Sequence, residues 1–194
     1  MSDLHIALPP PRANGQVSLE ATIACRHPVS PYVEEQLGTE QIGQILWAAC
    51  SIAGVRKNRK TNGSTWLILY ACRDDGVWRY HPQEHCLTRH LGIDTRGALA
   101  EAARNRWFIA QAPCVLVIST VPGLGIRGRY GERWWRRYLS IEAGRAVERM
   151  LLQAAALGLA SAPVNEFENE RVSHMLTLSR QEEPLYLLPV GRPA

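Results

Sequence analysis

The chain has 194 residues, of which 46% are hydrophobic and 21% charged, and its formal net charge is +4 at pH 7. This is the composition of an ordinary globular protein, long enough for one domain with a well-buried core. The apolar runs, among them Cys114–Ile118 and Ala154–Leu157, are far too short to cross a bilayer. The mild positive charge favours anionic ligands, including phosphate-bearing cofactors, without by itself indicating nucleic acid.

The cysteines are five in number, widely spaced and without a CxxC pair. That pattern predicts reduced thiols and argues against both a disulfide framework and a zinc site. The N-terminal residues contain no basic segment followed by an apolar one, so no secretory signal is expected. We therefore expect a cytoplasmic protein.

The N-terminal region predicts an extended arm followed by two helices. Residues 1–17 form the arm, because they contain three consecutive prolines. Ser18 is a good N-cap for a short helix that ends near Cys25. Thr39 begins a stronger helix, in which apolar residues recur at helical spacing up to about Cys50.

A pair of strands follows, and then another helix. Thr65–Cys72 is rich in β-forming residues, Asp74–Gly76 is a hairpin turn signal, and Val77–Tyr80 is the predicted returning strand. Asp94 is expected to cap a helix that continues to roughly Trp107.

The centre of the chain is organised around a long apolar helix. Pro113–Ile118 is almost continuously apolar and predicts a strand buried on both faces. From Ser140 onward, apolar residues recur on one helical face, and Gly158 can stop the helix in a left-handed conformation.

Beyond this central helix, the sequence predicts a short strand near Val164, a helix over about Asn169–Leu178 and a last strand over Leu185–Val190. Strands and helices therefore interleave around one long helix. We predict an α+β fold in three layers, with a mixed central sheet flanked by helices, forming a single domain over residues 18–194.

Three further patterns each have a functional and a structural interpretation. The GxGxxG spacing of Gly123–Gly128 matches a dinucleotide fingerprint, but the Arg- and Trp-rich stretch after it favours a flexible glycine-rich loop. His81, His85 and Cys86 are metal ligands by type, although a hydrated surface cluster agrees better with the proline between them. Residues 121–138, rich in Arg and Trp, fit an excursion that packs on a partner subunit better than a nucleic-acid patch.

Four stretches read together resemble the nitroreductase superfamily of flavoproteins, in particular its SagB-type (azoline dehydrogenase-like) branch. The opening IALPPPRANGQVSLEATIACRHPVS is similar to the family's LPxP…sLExxIxxRRSxR, and QILWAACSI to QLLWAAxGI. RKTNGSTWLILYA is similar to PSxxNxQPWxxYV, and EAGRAVERMLLQAAALGLASAPVNEF to EAGxxAQNLxLQAxALGLGxxPIGxF. The closing EPLYLLPVGRP also fits, so the resemblance runs from about residue 6 to the C-terminus.

The resemblance implies a nitroreductase-like fold that forms an intertwined homodimer, with FMN at each dimer interface. It also implies ping-pong hydride transfer through flavin N5, with NAD(P)H as a co-substrate and with no catalytic residue in the protein itself. The other substrate would be a small organic molecule or a modified peptide, and neither a metal nor a membrane is implied.

The same resemblance identifies eight cofactor-binding residues. Some approach the phosphate or the ribityl chain, and others lie along the ring, where backbone amides face flavin N5 and O4. The cations and a neighbour on the phosphate side are Arg26, His27 and Arg192, and the residues along the ring are Asn62, Ser64, Pro163, Val164 and Asn165.

The chain also departs from the family pattern around the same ligand. Glu166 stands where the family has a glycine, and a carboxylate beside a ring that becomes anionic on reduction would disfavour the reduced state. Two functions therefore stay open, an FMN-dependent oxidoreductase and a flavin-poor scaffold of the same fold that acts as a dimerisation or substrate-binding partner. The other departures are Ser30, Lys60, Glu148 and Arg149.

Overall fold

The computed structural model describes residues 4–25, 31–50, 67–121 and 127–194, the last range without the side chains of residues 127–133. The helices in these ranges are α1 Leu19–Ala24, α2 Thr39–Cys50, α3 Arg96–Ala102, α4 Trp107–Gln111, α5 Arg127–Ala156 and α6 Asn169–Met175. The strands are β1 His5–Ala7, β2 Leu67–Arg73, β3 Gly76–His81, β4 Cys86–Leu91, β5 Cys114–Thr120, β6 Ala160–Ser161 and β7 Glu183–Gly191.

The seven strands form one sheet in the order β1-β4-β3-β2-β5-β7-β6. The α+β class is confirmed, but the sheet predicted as mixed is antiparallel at every pairing that the structure describes. The reason lies in β7. Helix α5 delivers β6 in the same direction as β5, as a mixed sheet requires, and β7 then inserts between them, antiparallel to both.

The strand β5 is buried along its whole length, as its apolar run predicts. Because successive side chains point to opposite faces, Leu116 and Ile118 enter one hydrophobic core and Val115 and Val117 the other. The first core is shared with α2 and α5, and the second with α3, α4 and α6. The predicted three-layer arrangement follows from this double burial.

The central helix α5 is longer than its apolar pattern predicts, because it begins at Arg127 and runs for 30 residues. The part of residues 121–138 from Arg127 onward is thus helical, with Trp135 and Leu139 turned inward. Helix α5 begins inside the Gly123–Gly128 pattern, but residues 122–126 lie outside the described ranges, so the flexible glycine-rich loop stays a prediction. Both sheet neighbours of β5 are antiparallel to it, so the adjacent parallel strands of a dinucleotide-binding unit are lacking.

The helix α5 ends as predicted at a left-handed glycine. Gly158 has φ +69°, its N–H donates to the Ala155 carbonyl at 2.9 Å, and the Leu159 N–H donates to the Ala154 carbonyl at 2.9 Å. This pair of bonds is a Schellman motif, which satisfies carbonyls at the helix end and reverses the chain. The chain enters β6 two residues later.

The helix predicted from Asp94 to about Trp107 is in fact two helices. The chain leaves α3 after Ala102, because Arg104 and Asn105 adopt left-handed conformations with φ 59° and 56°. A carboxylate oxygen of Asp94 accepts from the Arg96 N–H at 3.0 Å, but the N-cap is the next residue, Thr95. Hydrogen bonds from Arg96 also lower the pKa of Asp94.

The N-terminal elements follow the sequence more closely. Ser18 caps α1, its hydroxyl accepting from the Ala21 N–H at 3.1 Å, and α2 begins at Thr39 as predicted. The arm is predicted as an extended segment, and its residues His5–Ala7 also join the sheet, as an edge strand paired with β4. None of the helices in the described ranges combines the length and the apolar character that a bilayer crossing demands.

Gly191, at the end of β7, tests how tightly the sheet packs at this end. A Cβ there would stand 2.6 Å from Tyr32 Cδ1 and 2.7 Å from Pro113 Cδ, so we expect Gly191→Ala to lower stability by about 1–3 kcal/mol. The matched control is Gly144→Ala in α5, where a Cβ meets nothing within 4 Å and helix propensity favours alanine by about 0.5–1 kcal/mol. Urea unfolding measures both changes, and equal midpoints for the two variants would contradict this packing.

Candidate functional site

The candidate site is built on the segment 160–168, which we call the edge segment. Its first residues form β6, the terminal strand of the sheet, paired with β7. Val164 then exchanges two hydrogen bonds with Leu187, each 2.8 Å long. At its far end, the Glu168 N–H donates to the Ala102 carbonyl at 3.0 Å. The edge segment is therefore held by β7 on one side and by the end of α3 on the other.

Two peptide N–H groups in the middle of this segment are open. Pro163 has no N–H, and the N–H of Val164 is already bonded to Leu187. Asn165 and Glu166 are exposed, and their amides donate to no residue among those described. Of the residues 163–165 predicted to face a flavin, only Asn165 thus keeps an available amide, and Glu166 adds a second.

A hydroxyl group without a partner lies close to these amides in sequence. The Ser161 Oγ is buried and has no hydrogen-bond partner among the described residues. Ala160 and Val164 belong to the core shared with α3, α4 and α6, so strand alternation places Ser161 and Pro163 on the opposite face. A buried hydroxyl without a partner costs stability, which marks it as a group that a ligand would satisfy.

The side chain of Glu166 is paired with a cation. Arg106, which precedes α4, donates to the Glu166 carboxylate at 2.7 Å. The glycine position of the family pattern thus carries a carboxylate whose charge is compensated within hydrogen-bond distance. Sequence reasoning found Glu166 but not Arg106, because 60 residues separate them and only the break between α3 and α4 brings them together.

A groove adjoins the end of α5, immediately before the edge segment. It has a volume of about 720 Å³ and lies between the arm, α2 and α5. Gln44 lines the groove and joins its walls: its Oε1 accepts from the Arg12 N–H at 2.9 Å, and its Nε2 donates to the Arg12 carbonyl at 2.9 Å and to Gln153 at 3.2 Å. Trp47 and Leu157 add apolar walls, so the groove combines a flat aromatic surface with amide groups.

The remaining predicted site residues divide into two groups. Arg26, His27, Asn62 and Ser64 lie outside the described residues. Arg192 is described, and its guanidinium donates to the Glu35 carboxylate at 2.8 Å. Since Arg192 follows Leu187 by five residues along an extended strand, it is about 16 Å from the bridge at Val164. The structure does not bring Arg192 to the open amides.

Arg149, a departure from the family pattern, has a structural partner. Its guanidinium donates to the Ala48 carbonyl at 2.9 Å and to the Ala49 carbonyl at 2.6 Å, which caps the end of α2. A cation at a helix C-terminus is favoured by the exposed carbonyls and by the helix dipole. Burial lowers the pKa of Arg149, with a smaller contribution from Arg145 in the same direction.

The histidines considered as metal ligands are bound to protein groups. His81 Nε2 lies 2.8 Å from Thr88 Oγ1, and His85 bridges Tyr80 and the Pro9 carbonyl at 2.9 Å each. Cys86 is buried in the sheet. His81 and His85 are partly exposed at the ends of the β3–β4 turn, so the expected surface position is confirmed for these two residues and is wrong for Cys86. Among the described residues, no group of three or more His, Cys, Asp or Glu side chains is placed to hold a metal ion.

Removing the cap on α2 should cost measurable stability. We expect Arg149→Met to lower the free energy of unfolding by about 1.5–3 kcal/mol, because two buried carbonyls lose a charged donor. Arg137→Met is the matched control, since Arg137 is an exposed residue of the same helix. Thermal and urea unfolding report the difference, and equal stabilities of the two variants would contradict the cap.

The chain matches known proteins over most of its length. The model of the "Nitroreductase family" matches residues 23–192. A Methanocaldococcus jannaschii protein named "Putative nitroreductase MJ1384" is 33% identical over 186 residues, which cover 91% of this chain and 92% of the relative.

Solved structures share the fold. The crystal structure of a "putative nitroreductase" from Ralstonia eutropha JMP134 aligns with TM-score 0.82 at 24% identity, over 98% of this chain and 90% of that one. A nitroreductase family protein from Clostridium novyi NT aligns with TM-score 0.67 at 15% identity, over 92% and 86% of the two chains. At these identities the likeness concerns the fold alone.

Proposed function

The chain belongs to the nitroreductase family, and on that premise we propose that this oxidoreductase uses FMN as its cofactor. The observation that carries the proposal is a set of three unpaired polar groups on the edge segment. The Ser161 hydroxyl and the amides of Asn165 and Glu166 are donors without partners among the described residues. Several free donors on one short segment suit the polar edge of a flat heterocycle, which offers several acceptors.

The residues that would hold FMN divide between its ring and its phosphate. The three groups on the edge segment would bind the ring edge, and by resemblance Asn62 and Ser64 would contact the ring as well. Arg26, His27 and Arg192 would serve the phosphate or the ribityl chain, Arg192 by exchanging Glu35 for the ligand. When bound, FMN supplies hydride transfer at N5, and the protein supplies position and electrostatics.

We propose NAD(P)H as the hydride source and a small organic molecule or a modified peptide as the second substrate, by resemblance to the SagB-type branch. The groove beside α5 supports a substrate of modest size, because about 720 Å³ lies within the usual range of small-molecule sites. Trp47 provides a surface on which a ring can stack.

A second copy of the chain is the proposed partner. Large apolar side chains are more than half exposed on α1 and α5, which pack against each other, namely Leu19, Ile23, Trp134 and Ile141. Exposed apolar surface of this kind on adjacent helices marks an interaction site. A symmetric dimer would bury the same surface on both copies, and by resemblance the two FMN sites would lie at its interface.

The alternative function is a flavin-poor scaffold of the same fold. Two residues that depart from the family pattern favour it, because each is already bonded within the protein. Glu166 is bonded to Arg106, and Arg149 to the end of α2. Such a protein would bind a substrate or pair with another chain without carrying FMN. Cofactor binding separates the two functions.

The proposal predicts that the purified protein binds FMN and is stabilised by it. We expect a flavin absorbance band and, at a hundredfold excess over Kd, about 2.7 kcal/mol of added stability. Arg26→Ala should weaken binding by about 1.5–3 kcal/mol, the contribution of a charge-assisted hydrogen bond. A colourless protein whose melting temperature ignores FMN would leave the scaffold as the function.

Ser161→Ala sharpens this test. It should weaken FMN binding by about 0.5–1.5 kcal/mol while leaving the free protein equally stable or more stable, because the hydroxyl has no partner there. Ser140→Ala is the control, an exposed hydroxyl bonded to its own helix at the Arg136 carbonyl. Unchanged binding in Ser161→Ala would remove this residue from the site.

The dimer has its own test. Ile141→Glu places a charge on the exposed face of α5 and should convert a dimer to a monomer in sedimentation velocity. Ile93→Glu is the matched control, since Ile93 is 62% exposed between β4 and α3, away from α1 and α5. A dimer that survives Ile141→Glu as well as it survives Ile93→Glu would exclude this face.

A further inference from the structure

We infer that Arg106 compensates the charge of Glu166 beside the cofactor edge and thereby sets how strongly the site prefers oxidised over reduced FMN. The inference rests on the proposed function, because it assigns a role to a pair of residues at that same site. Arg106 acts here as a positioning residue for charge and takes no part in the chemistry.

The position of Glu166 is fixed from both sides. The bridge between Val164 and Leu187 holds the chain two residues before it, and the bond from Glu168 to the Ala102 carbonyl holds it two residues after. The carboxylate therefore belongs to the short, anchored stretch that carries the two open amides. A ligand that accepts from those amides would have the Glu166 charge as a close neighbour.

The cation is delivered by a strained connection. Arg104 and Asn105 are consecutive non-glycine residues in left-handed conformations, with φ 59° and 56°. Each such conformation has an energetic cost, and it persists only where surrounding contacts hold it. Directly after them, Arg106 takes an extended conformation, with φ −70° and ψ 93°, and reaches Glu166 at 2.7 Å.

The strained residues Arg104 and Asn105 place Arg106 on Glu166, which the packing of α4 does not require. The burial of Ile109 does not use the guanidinium of Arg106, because that side chain is 34% exposed and bonded to Glu166. What the break adds is a guanidinium on the carboxylate next to the open amides. Both side chains are partly exposed, at 34% and 60%, so the pair is in contact with solvent.

The electrostatic consequence follows from the charge of the ligand. Reduced FMN has a more negative ring than oxidised FMN, so a bare carboxylate close to the ring opposes reduction. A guanidinium bonded to that carboxylate cancels most of its field at the distance of a neighbouring ligand. Removing Arg106 should therefore strengthen the preference for oxidised FMN, and removing Glu166 should weaken it. An ion pair with only a structural role would give two shifts of the same sign, or none.

The experiment compares four proteins: the natural sequence, Arg106→Gln, Glu166→Gln and the double variant. Anaerobic fluorescence titration of each FMN-free protein gives the Kd for oxidised FMN and the Kd for chemically reduced FMN. The quantity compared is the ratio of the reduced to the oxidised Kd, which needs no turnover and no substrate. Melting temperatures without FMN confirm that each variant is folded.

We expect Arg106→Gln to raise this ratio about threefold to tenfold and Glu166→Gln to lower it by a similar factor. At 29.6 mV per tenfold for a two-electron couple, these factors correspond to roughly 14–30 mV in midpoint potential. The double variant should return close to the natural ratio. Raising the salt concentration should shrink both single shifts, because the pair is exposed to screening.

The matched control is Arg73→Gln, which removes a cation whose guanidinium is 3.2 Å from the Asp75 carboxylate, at the turn between β2 and β3 and away from the edge segment. Single shifts of the same sign, or an equal shift in Arg73→Gln, would overturn the inference while leaving FMN binding and the proposed function intact. A natural protein that binds FMN in neither oxidation state would remove the proposed function, and this inference with it.

Discussion

The fold depends on one constraint, the burial of β5 on both faces. Every residue of this strand is buried, and its alternating side chains divide between two hydrophobic cores. A strand of this kind requires a helical layer on each side and a paired strand at each edge, since no backbone group of the strand can reach water. The layers α2–α5 and α3–α4–α6, and the neighbours β2 and β7, meet that requirement.

The candidate site is a consequence of how the chain leaves this core. Helix α5 crosses the sheet and stops at Gly158, and its Schellman motif turns the chain onto the outer side of β7. The edge segment can pair only on one side, because β6 is the last strand. The Asn165 and Glu166 N–H groups and the Ser161 hydroxyl have no partner among the described residues. They carry the cofactor site that we propose, on a segment held by β7.

Charged residues that depart from the family pattern have defined partners in this chain. Arg149 caps the end of α2, and Glu166 is bonded to Arg106. Each of these two side chains therefore has a structural role of its own, because it bonds to a neighbouring element of the fold. Whether a charge at such a position opposes a ligand depends on its partner, and a residue 60 positions away provides the partner of Glu166.

The sequence by itself determined what local chemistry controls. The Ser18 cap, the start of α2 at Thr39, the buried run of β5 and the glycine stop at Gly158 all appear where local rules place them. The order of the quoted stretches also identified the family, which the comparisons confirm. Only the tertiary structure decided the insertion of β7 between β5 and β6, the break between α3 and α4, and the pairing of Arg106 with Glu166. These features join residues far apart along the chain, and their energies come from packing and charge between elements, which no local pattern encodes.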